Sequence, residues 1–506
     1  MHLSIASATI ATALADSASE SLPNILFVLT DDQAPWAMGT AVDSGQYSGV
    51  MTANTPHMDR LAAEGVMFRN FFCTTPVCSP ARASLMTGRY ATDFGIEDFI
   101  THPKHKLFAP QRQVALDPDQ SVTFAEALKA AGYRTALVGK WHLGEWTLPG
   151  NQRLHPTAHG FDYFMGLPSG GTSPSNPELE KDGVVSKFDG LTTDILFDDA
   201  ISYLQQNRTN PQPFLLCLHT RAPHGAWLPV APADWDAYEG QEVTIPAYDG
   251  LDVAKTKKNM REYLASTSGV DRNLGRLLDA IDGLPKNRET VVVFTSDHGY
   301  NLGHNGIWHK GNGIWATKRK PPGPTHNGTR VISNKYRPNL YDLSLKVPMI
   351  IRWPGVVRPG TVIDDTASSL DMFPTLVAIG NGKTPLPQTS KPLAIGRDLN
   401  PLLRGQEVAD WDQDFFAQYT MIHYAQATLR CYRTPKFKLV RDFHNEGRDE
   451  FFDLIADPDE SVNLIDEKSS AIQSNIERLH AKLIAKMIQL GDPLAAEVSA
   501  EVPVGR

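Results

Sequence analysis

Cysteine is scarce: Cys73, Cys78, Cys217 and Cys431 are the four in 506 residues, too few for a disulfide framework at this size and without zinc-finger spacing. Long apolar runs are missing as well. No stretch reaches the roughly 18 apolar residues that a membrane-spanning helix needs, so none is expected. Excess positive charge is also lacking: 48 Lys and Arg stand against 57 Asp and Glu, a formal charge of -9. That balance excludes a general affinity for nucleic acid or an anionic membrane, so any anion site has to be built locally. Hydrophobic residues at 41% and charged residues at 21%, with 38 Gly and 36 Pro, are ordinary globular usage and rule out collagen-like, coiled-coil and disordered chains. No internal repeat is present. The length allows about three domains, or one large α/β domain with a smaller companion.

What is present begins with an Ala-rich apolar stretch that ends in an A-x-A pattern at Ala15. It reads as an export signal within residues 1–21, implying a periplasmic or secreted protein. The alternative is a cytoplasmic chain with a frayed end, because the segment before the apolar stretch holds only His2 and no Lys or Arg. Beyond it, short β-branched and apolar runs end abruptly in polar residues. Ile25–Leu29 runs into Asp31 and Asp32, Thr135–Val138 into Lys140 and His142, Phe214–Leu218 into His219 and His224, and Val291–Phe294 into Asp297 and His298. These are strands buried on both faces. Between them, Thr55–Glu64, Val122–Ala131 and Tyr263–Ile281 carry apolar residues at helical spacing, so the pattern is βαβ. Ligands bind beyond the carboxyl ends of such strands, and four of them deliver acids, a lysine and histidines to that edge.

A helix-like segment, Leu370–Ile379, precedes a Gly/Pro-rich linker at Gly380–Pro392. Strands are then expected at Phe415–Tyr419, Ala427–Tyr432 and Phe437–Val440, with an amphipathic helix over Ser470–Leu490. The expected organisation is a catalytic domain over 22–380 followed by a linker and C-terminal subdomain over 381–506.

Residues Cys73–Arg89 read C-T-T-P-V-C-S-P-A-R-A-S-L-M-T-G-R. The C-x-P-x-R core with L-x-T-G-R behind it closely resembles the signature of the type I, formylglycine-dependent sulfatases of the alkaline phosphatase superfamily. The resemblance spans most of the chain. It includes Asp31-Asp32, G-K-W-H-L-G at Gly139–Gly144, H-G-F-D at His159–Asp162, Pro223-His224, S-D-H-G at Ser296–Gly299, V-P-M-I-I-R-W-P-G at Val347–Gly355, and F-D-L-x-x-D-P-x-E-x-x-N-L at Phe452–Leu464. It implies a large α/β/α sandwich around a mostly parallel mixed sheet, with a smaller C-terminal α+β subdomain carrying a short antiparallel sheet and a helix.

For Cys78 the resemblance implies oxidation to formylglycine by a separate formylglycine-generating enzyme, then hydration to a geminal diol. One hydroxyl attacks sulfur; the other expels sulfate by regenerating the aldehyde, a release step that a plain serine or cysteine ester lacks. The resemblance also implies a divalent metal held by Asp31, Asp32, Asp297, His298 and the modified Cys78. Carboxylate oxygens suit calcium, while an imidazole at position 298, where many relatives have Asn, leaves manganese open. Arg82 and Lys140 would bind sulfate oxygens, His142 would take the proton in the release step, and Asp297 would act as base for the attacking hydroxyl. His224 and a lysine would serve the leaving alkoxide. Lys310, in W-H-K-G, is the lysine assigned by resemblance, with Lys318 and Lys320 as rivals.

His304 and His309 are candidate substrate contacts in the same loop. Ile314–Arg337 reads as an insertion with six Lys or Arg and no acid. Its Lys318, Arg319, Lys320 and Arg330 are read as an anion-collecting lip, against a solvated loop. The expected substrate is a sulfate ester on a carbohydrate or another small molecule. A phosphonate monoester or phosphodiester hydrolase and an inactive sulfoglycan-binding protein are the competing readings.

Overall fold

A computed structural model of the chain describes residues 22–43, 47, 49–380 and 394–496. The export segment read at 1–21 and nearly all of the linker read at Gly380–Pro392 lie outside those residues. The strands expected at Ile25–Leu29, Thr135–Val138, Phe214–Leu218 and Val291–Phe294 are present. Strand β1 is Asn24–Thr30, followed by β2 (Val66–Phe68), β3 (Arg134–Gly139), β4 (Tyr163–Gly166) and the hairpin β5 (Glu178–Lys181) and β6 (Val184–Lys187). Strands β7 (Phe214–His219), β8 (Thr290–Ser296), β9 (Met349–Arg352) and β10 (Thr361–Ile363) complete one ten-stranded sheet in the order β10-β2-β9-β8-β1-β7-β3-β4-β5-β6.

Strands β8, β1, β7, β3 and β4 are mutually parallel, and β9 on one side and β5 on the other run antiparallel to them. Alternation along each strand divides the core. Ile25, Phe27 and Leu29 face one layer, with Leu85, Phe124 and Leu376 of helices α2 (Cys78–Thr87), α3 (Phe124–Ala130) and α6 (Met372–Ile379). Leu26 and Val28 face the other, with Met58, Leu196 and Leu274 of α1 (Pro56–Glu64), α4 (Thr192–Asn207) and α5 (Val253–Asp282). Both faces of the parallel strands are therefore covered, as such strands require.

Capping sets the helix starts. Thr123 and Glu126 form a capping box before α3, and Asp252 accepts from the Lys255 amide at the start of α5. That cap starts α5 ten residues before the Tyr263 read from apolar spacing alone.

Four further strands, β11 (Phe415–Met421), β12 (Ala427–Arg433), β13 (Phe437–Asp442) and β14 (Glu450–Asp453), make an antiparallel sheet in chain order. One face carries Ala417, Tyr419, Leu429 and Cys431 into the core shared with Phe27 and Leu137. Helix α7 (Ser470–Leu490) covers the other face through Leu479, Leu483 and Met487. Among the described residues no helix is long and apolar enough to cross a membrane.

Candidate active site

The register of the parallel strands makes their carboxyl ends level. Leu29 pairs with His219 and Thr295, and Gly139 pairs with His219 and Gly166. Everything chemical in the four strand endings therefore emerges on one edge. Gly139 sits at φ 112°, and a Cβ there would lie 1.9 Å from the His219 carbonyl oxygen, so only glycine lets β3 turn into Lys140 this close to β7.

Cys78 is the first residue of α2 and is buried at its N-terminal end, where backbone N–H groups face outward. Its sulfur lies 3.0 Å from Lys310 Nζ, 3.5 Å from His298 Nε2 and 3.7 Å from Asp31 Oδ1. Burial by itself pushes the thiol pKa up, but Lys140 and Lys310 outweigh it and hold the thiol well below its ordinary value.

Around it, Asp31 accepts from Lys140 Nζ at 2.5 Å, Asp297 accepts from Arg82 Nε at 3.0 Å, and Asp32 accepts from Lys310. His298 Nε2 lies 3.3 Å from Asp32 Oδ1 and 3.4 Å from Asp297 Oδ1. Burial and the Asp31 charge push the Asp297 carboxyl up to about 6, against His298 and Arg82. Burial acts to raise Asp31 too, yet Lys140, His224, Arg82 and Lys310 bring it well below the carboxylate range. Ligand atoms of Asp31, Cys78, Asp297 and His298 lie within 4.8 Å of one another, as do those of Asp31, Asp32, Cys78 and His224. Three converging carboxylates and an imidazole are a donor set that fits a hard divalent cation.

The backbone is bent to reach this arrangement. Asp32, His142 and His309 occupy left-handed conformations at φ 68°, 58° and 70°, which non-glycine residues adopt only when their surroundings hold them there. His142 Nε2 donates to the Ile100 carbonyl at 2.9 Å, and the ring also meets the Cys78 thiol. That tautomer leaves a lone pair on Nδ1. Gly170 packs on this ring: a Cβ there would lie 2.1 Å from Nε2. Arg82 Nη2 makes no hydrogen bond among the described residues, although it is buried.

A cavity of ≈ 410 Å³ opens above Cys78 and is lined by Lys140, His142, His224, His309 and Lys310. Of the residues expected from sequence, Cys78, Arg82, Lys140, His142, His224, Lys310, Asp31, Asp32, Asp297 and His298 come together here. His309 joins them at the cavity wall. His304 does not: its Nδ1 meets the Asn301 carbonyl at 2.5 Å, its ring lies against Trp36, and it lines neither this cavity nor the adjoining one.

The basic lip also divides. Lys320 lines an adjoining cavity of ≈ 480 Å³, whereas Lys318, Arg319 and Arg330 line neither cavity. Arg330 belongs to a small outer hairpin that pairs Thr325 with Arg330 and leans on Glu446. Because Lys318 is exposed and outside both cavities, and Lys320 donates to the Trp315 and Thr317 carbonyls, neither rival lysine reaches Cys78 as Lys310 does.

Sequence reading passed over Lys106, Lys335, Tyr336 and Tyr424, which form the cavity wall. Lys335 and Tyr336 lie in the basic insertion. Tyr424 comes from the β11–β12 turn, where nothing local marks it as facing a site.

A family model described as Sulfatase matches residues 23–382, and one described as N-sulphoglucosamine sulphohydrolase, C-terminal, matches residues 336–489. The chain is 28% identical over 480 residues to an ulvan-active sulfatase of Formosa agariphila, covering 93% of this chain and 82% of that one. It is 27% identical over 526 residues to an N-acetylglucosamine-6-O-sulfatase of Bacteroides thetaiotaomicron, covering 87% and 82%. A protein solved in complex with its substrate D-glucosamine-2-N,6-O-disulfate superposes with a TM-score of 0.72 at 23% identity, covering 94% of this chain and 99% of that one. With the signature helix, the strand-end acids and the paired cations gathered on one edge, and with the family model spanning most of its length, the chain belongs to the sulfatase family of sulfuric ester hydrolases.

Proposed function

We propose that the enzyme removes sulfate from a sulfated carbohydrate, using a formylglycine derived from Cys78 and a divalent cation, calcium first and manganese second. The observation that carries this reading is the position of Cys78. It lies at a helix N-terminus between three buried carboxylates with His298 on one side and Lys140, His142 and Lys310 on the cavity side. The glycan-acting relatives support the substrate class.

Asp31, Asp32, Asp297, His298 and residue 78 would hold the cation, which would supply positive charge to sulfate oxygens. Formylglycine hydrate at position 78 supplies a nucleophilic hydroxyl and a second hydroxyl for release. The chain's own groups do the rest. Arg82 Nη2 and Lys140 Nζ would hold sulfate oxygens. Lys310 Nζ and the His224 ring, which face the cavity, deliver a proton to the leaving oxygen; sugar alkoxides need that help. His142 Nδ1, with its lone pair, takes the proton of the release step. The Ala-rich stretch ending at Ala15 supports action in the periplasm or outside the cell.

The test uses protein matured by a formylglycine-generating enzyme, with the side-chain mass at residue 78 measured. Release of sulfate from aryl sulfate and from sulfated saccharides is compared with hydrolysis of an aryl phosphodiester. The expected result is sulfate release, with Cys78→Ser stalling after at most one transfer because a single hydroxyl cannot collapse to an aldehyde. Faster phosphodiester turnover, or sustained turnover by Cys78→Ser, overturns the reading.

A further inference from the structure

The space above Cys78 has two lobes. The ≈ 410 Å³ and ≈ 480 Å³ cavities share His224, His309, Ile314 and Lys335 and otherwise diverge. Each is the size of a ligand site by itself. Cys78, Lys140, His142 and Lys310 line the first lobe alone, Asp32 borders the second, and His224 and His309 line both.

Both lobes pair aromatic faces with lysines. In the first, Tyr336 and Tyr424 stack with centroids 5.6 Å apart and planes 17° apart. Lys106 lies 5.3 Å from the Tyr424 ring and Lys335 lies 5.3 Å from the Tyr336 ring. In the second, Trp227, Trp308 and Trp315 line the wall, Lys255 lies 5.4 Å from the Trp308 ring, and the Lys320 ammonium is fixed by two carbonyls. The acids of that wall are committed elsewhere, Asp252 to capping α5 and Asp32 to the reacting centre. Aromatic faces take the C–H face of a pyranose, and the neighbouring lysines take its sulfate or carboxylate groups.

An enzyme restricted to a chain-terminal sugar needs room on one side of the scissile sulfate. Here the first lobe extends from Cys78 to Tyr336 and Tyr424, and the second opens from Asp32 and His224 toward Trp308 and Trp315. Resting on the sulfated-carbohydrate reading above, we propose that the enzyme accepts sulfate on an internal unit of an anionic glycan chain, with a neighbouring sugar unit in each lobe. Of the basic insertion, Lys320 and Lys335 grip that chain; Lys318, Arg319 and Arg330 stand outside it.

Binding without turnover separates this claim from the reaction itself. In Cys78→Ala protein, affinities are measured for a sulfated glucan disaccharide, tetrasaccharide and hexasaccharide. Filling the second lobe tightens the hexasaccharide at least about tenfold over the disaccharide, the worth of one or two added aromatic contacts. Adding Trp315→Ala or Lys320→Ala, from the second lobe, or Tyr424→Ala, from the first, collapses the hexasaccharide-to-disaccharide ratio. Lys320 is exposed, so its variant decides the matter if Trp315→Ala fails to fold. Length-independent affinity, or a ratio unchanged in folded second-lobe variants, overturns the proposal. Failure of the matured enzyme to release sulfate from any substrate counts against the proposed function and leaves this measurement valid.

Discussion

Among the described residues, two clusters of buried charge invite comparison, and a cavity adjoins one of them. At the strand ends, Asp31, Asp32 and Asp297 meet Arg82, Lys140 and Lys310. Where the antiparallel sheet meets the main body, Asp342 and Glu460 meet Arg433 and Lys438. Arg433 lies 3.0 Å and Lys438 2.9 Å from Asp342, and Lys438 lies 2.6 Å from Glu460. Burial and ion pairing do not distinguish them. Backbone strain does not either, since Glu460 is left-handed at φ 54° much as Asp32 is at φ 68°.

Completion distinguishes them. In the interface cluster the Asp342 carboxylate takes both Arg433 and Lys438, and Glu460 also accepts from the Asp342 amide at 2.5 Å. In the strand-end cluster Arg82 Nη2 makes no hydrogen bond among the described residues, its Asp31 contact being 3.8 Å, and a cavity lined by Lys140, His142 and Lys310 opens beside the cluster. Such atoms occur elsewhere among the described residues too, at Trp141 and His219 for instance; at this edge they accompany a cavity.

Breaking the closed cluster should cost most in stability. Asp342→Asn leaves Arg433 and Lys438 short of a partner and should destabilise by about 3–5 kcal/mol, read from denaturant unfolding, with kcat unchanged in protein that remains folded. The acid limb sharpens the point. Burial acts to raise the Asp342 pKa, but Arg433, Lys438 and Lys346 hold the carboxyl far below its usual range. A depressed folded pKa stabilises above the unfolded value of about 3.9 and is lost as pH falls through it. Wild type should therefore lose stability toward low pH more steeply than Asp342→Asn; parallel curves would refute this assignment.

Asp31→Asn should fall chiefly on activity: metal content and turnover drop together, turnover by about 10²–10³-fold. Full activity after exhaustive chelation, with metal analysis showing none bound, would sink the cation reading. Smaller still, Gly170→Ala pushes a methyl against the His142 ring. Moving that ring by about 1 Å should slow turnover by up to roughly 10²-fold, with an unchanged melting temperature. An equal loss of stability would make Gly170 a packing residue only.

Strands β1, β3, β7 and β8 were legible because a short apolar run with no polar alternation, cut off by charged residues, is the pattern that a strand covered on both faces imposes, and α2 because its signature is local. The flanking β5–β6 hairpin was not. Its E-L-E-K and V-V-S-K strands are short and largely exposed, so no alternating apolar pattern marks them. Histidine spacing also failed to separate His304 from His309. They lie five residues apart in one loop, and the left-handed turn at His309 sends its side chain to the cavity while His304 packs on Trp36.

By itself the sequence determined which groups crowd this edge: Cys78 opens a helix and Asp31, Lys140 and Asp297 directly follow strand ends, while Arg82, His224 and Lys310 lie farther along the chain. Parallel pairing then leaves those groups only one edge to share. Tertiary structure alone decided what surrounds that centre. Lys106, Tyr336 and Tyr424 come from loops far apart in the chain, and the division of the basic insertion into cavity and outer surface depends on how a loop folds back over Trp315 and Thr317. No local periodicity encodes such encounters, since they follow from packing between elements and not from the pattern within one.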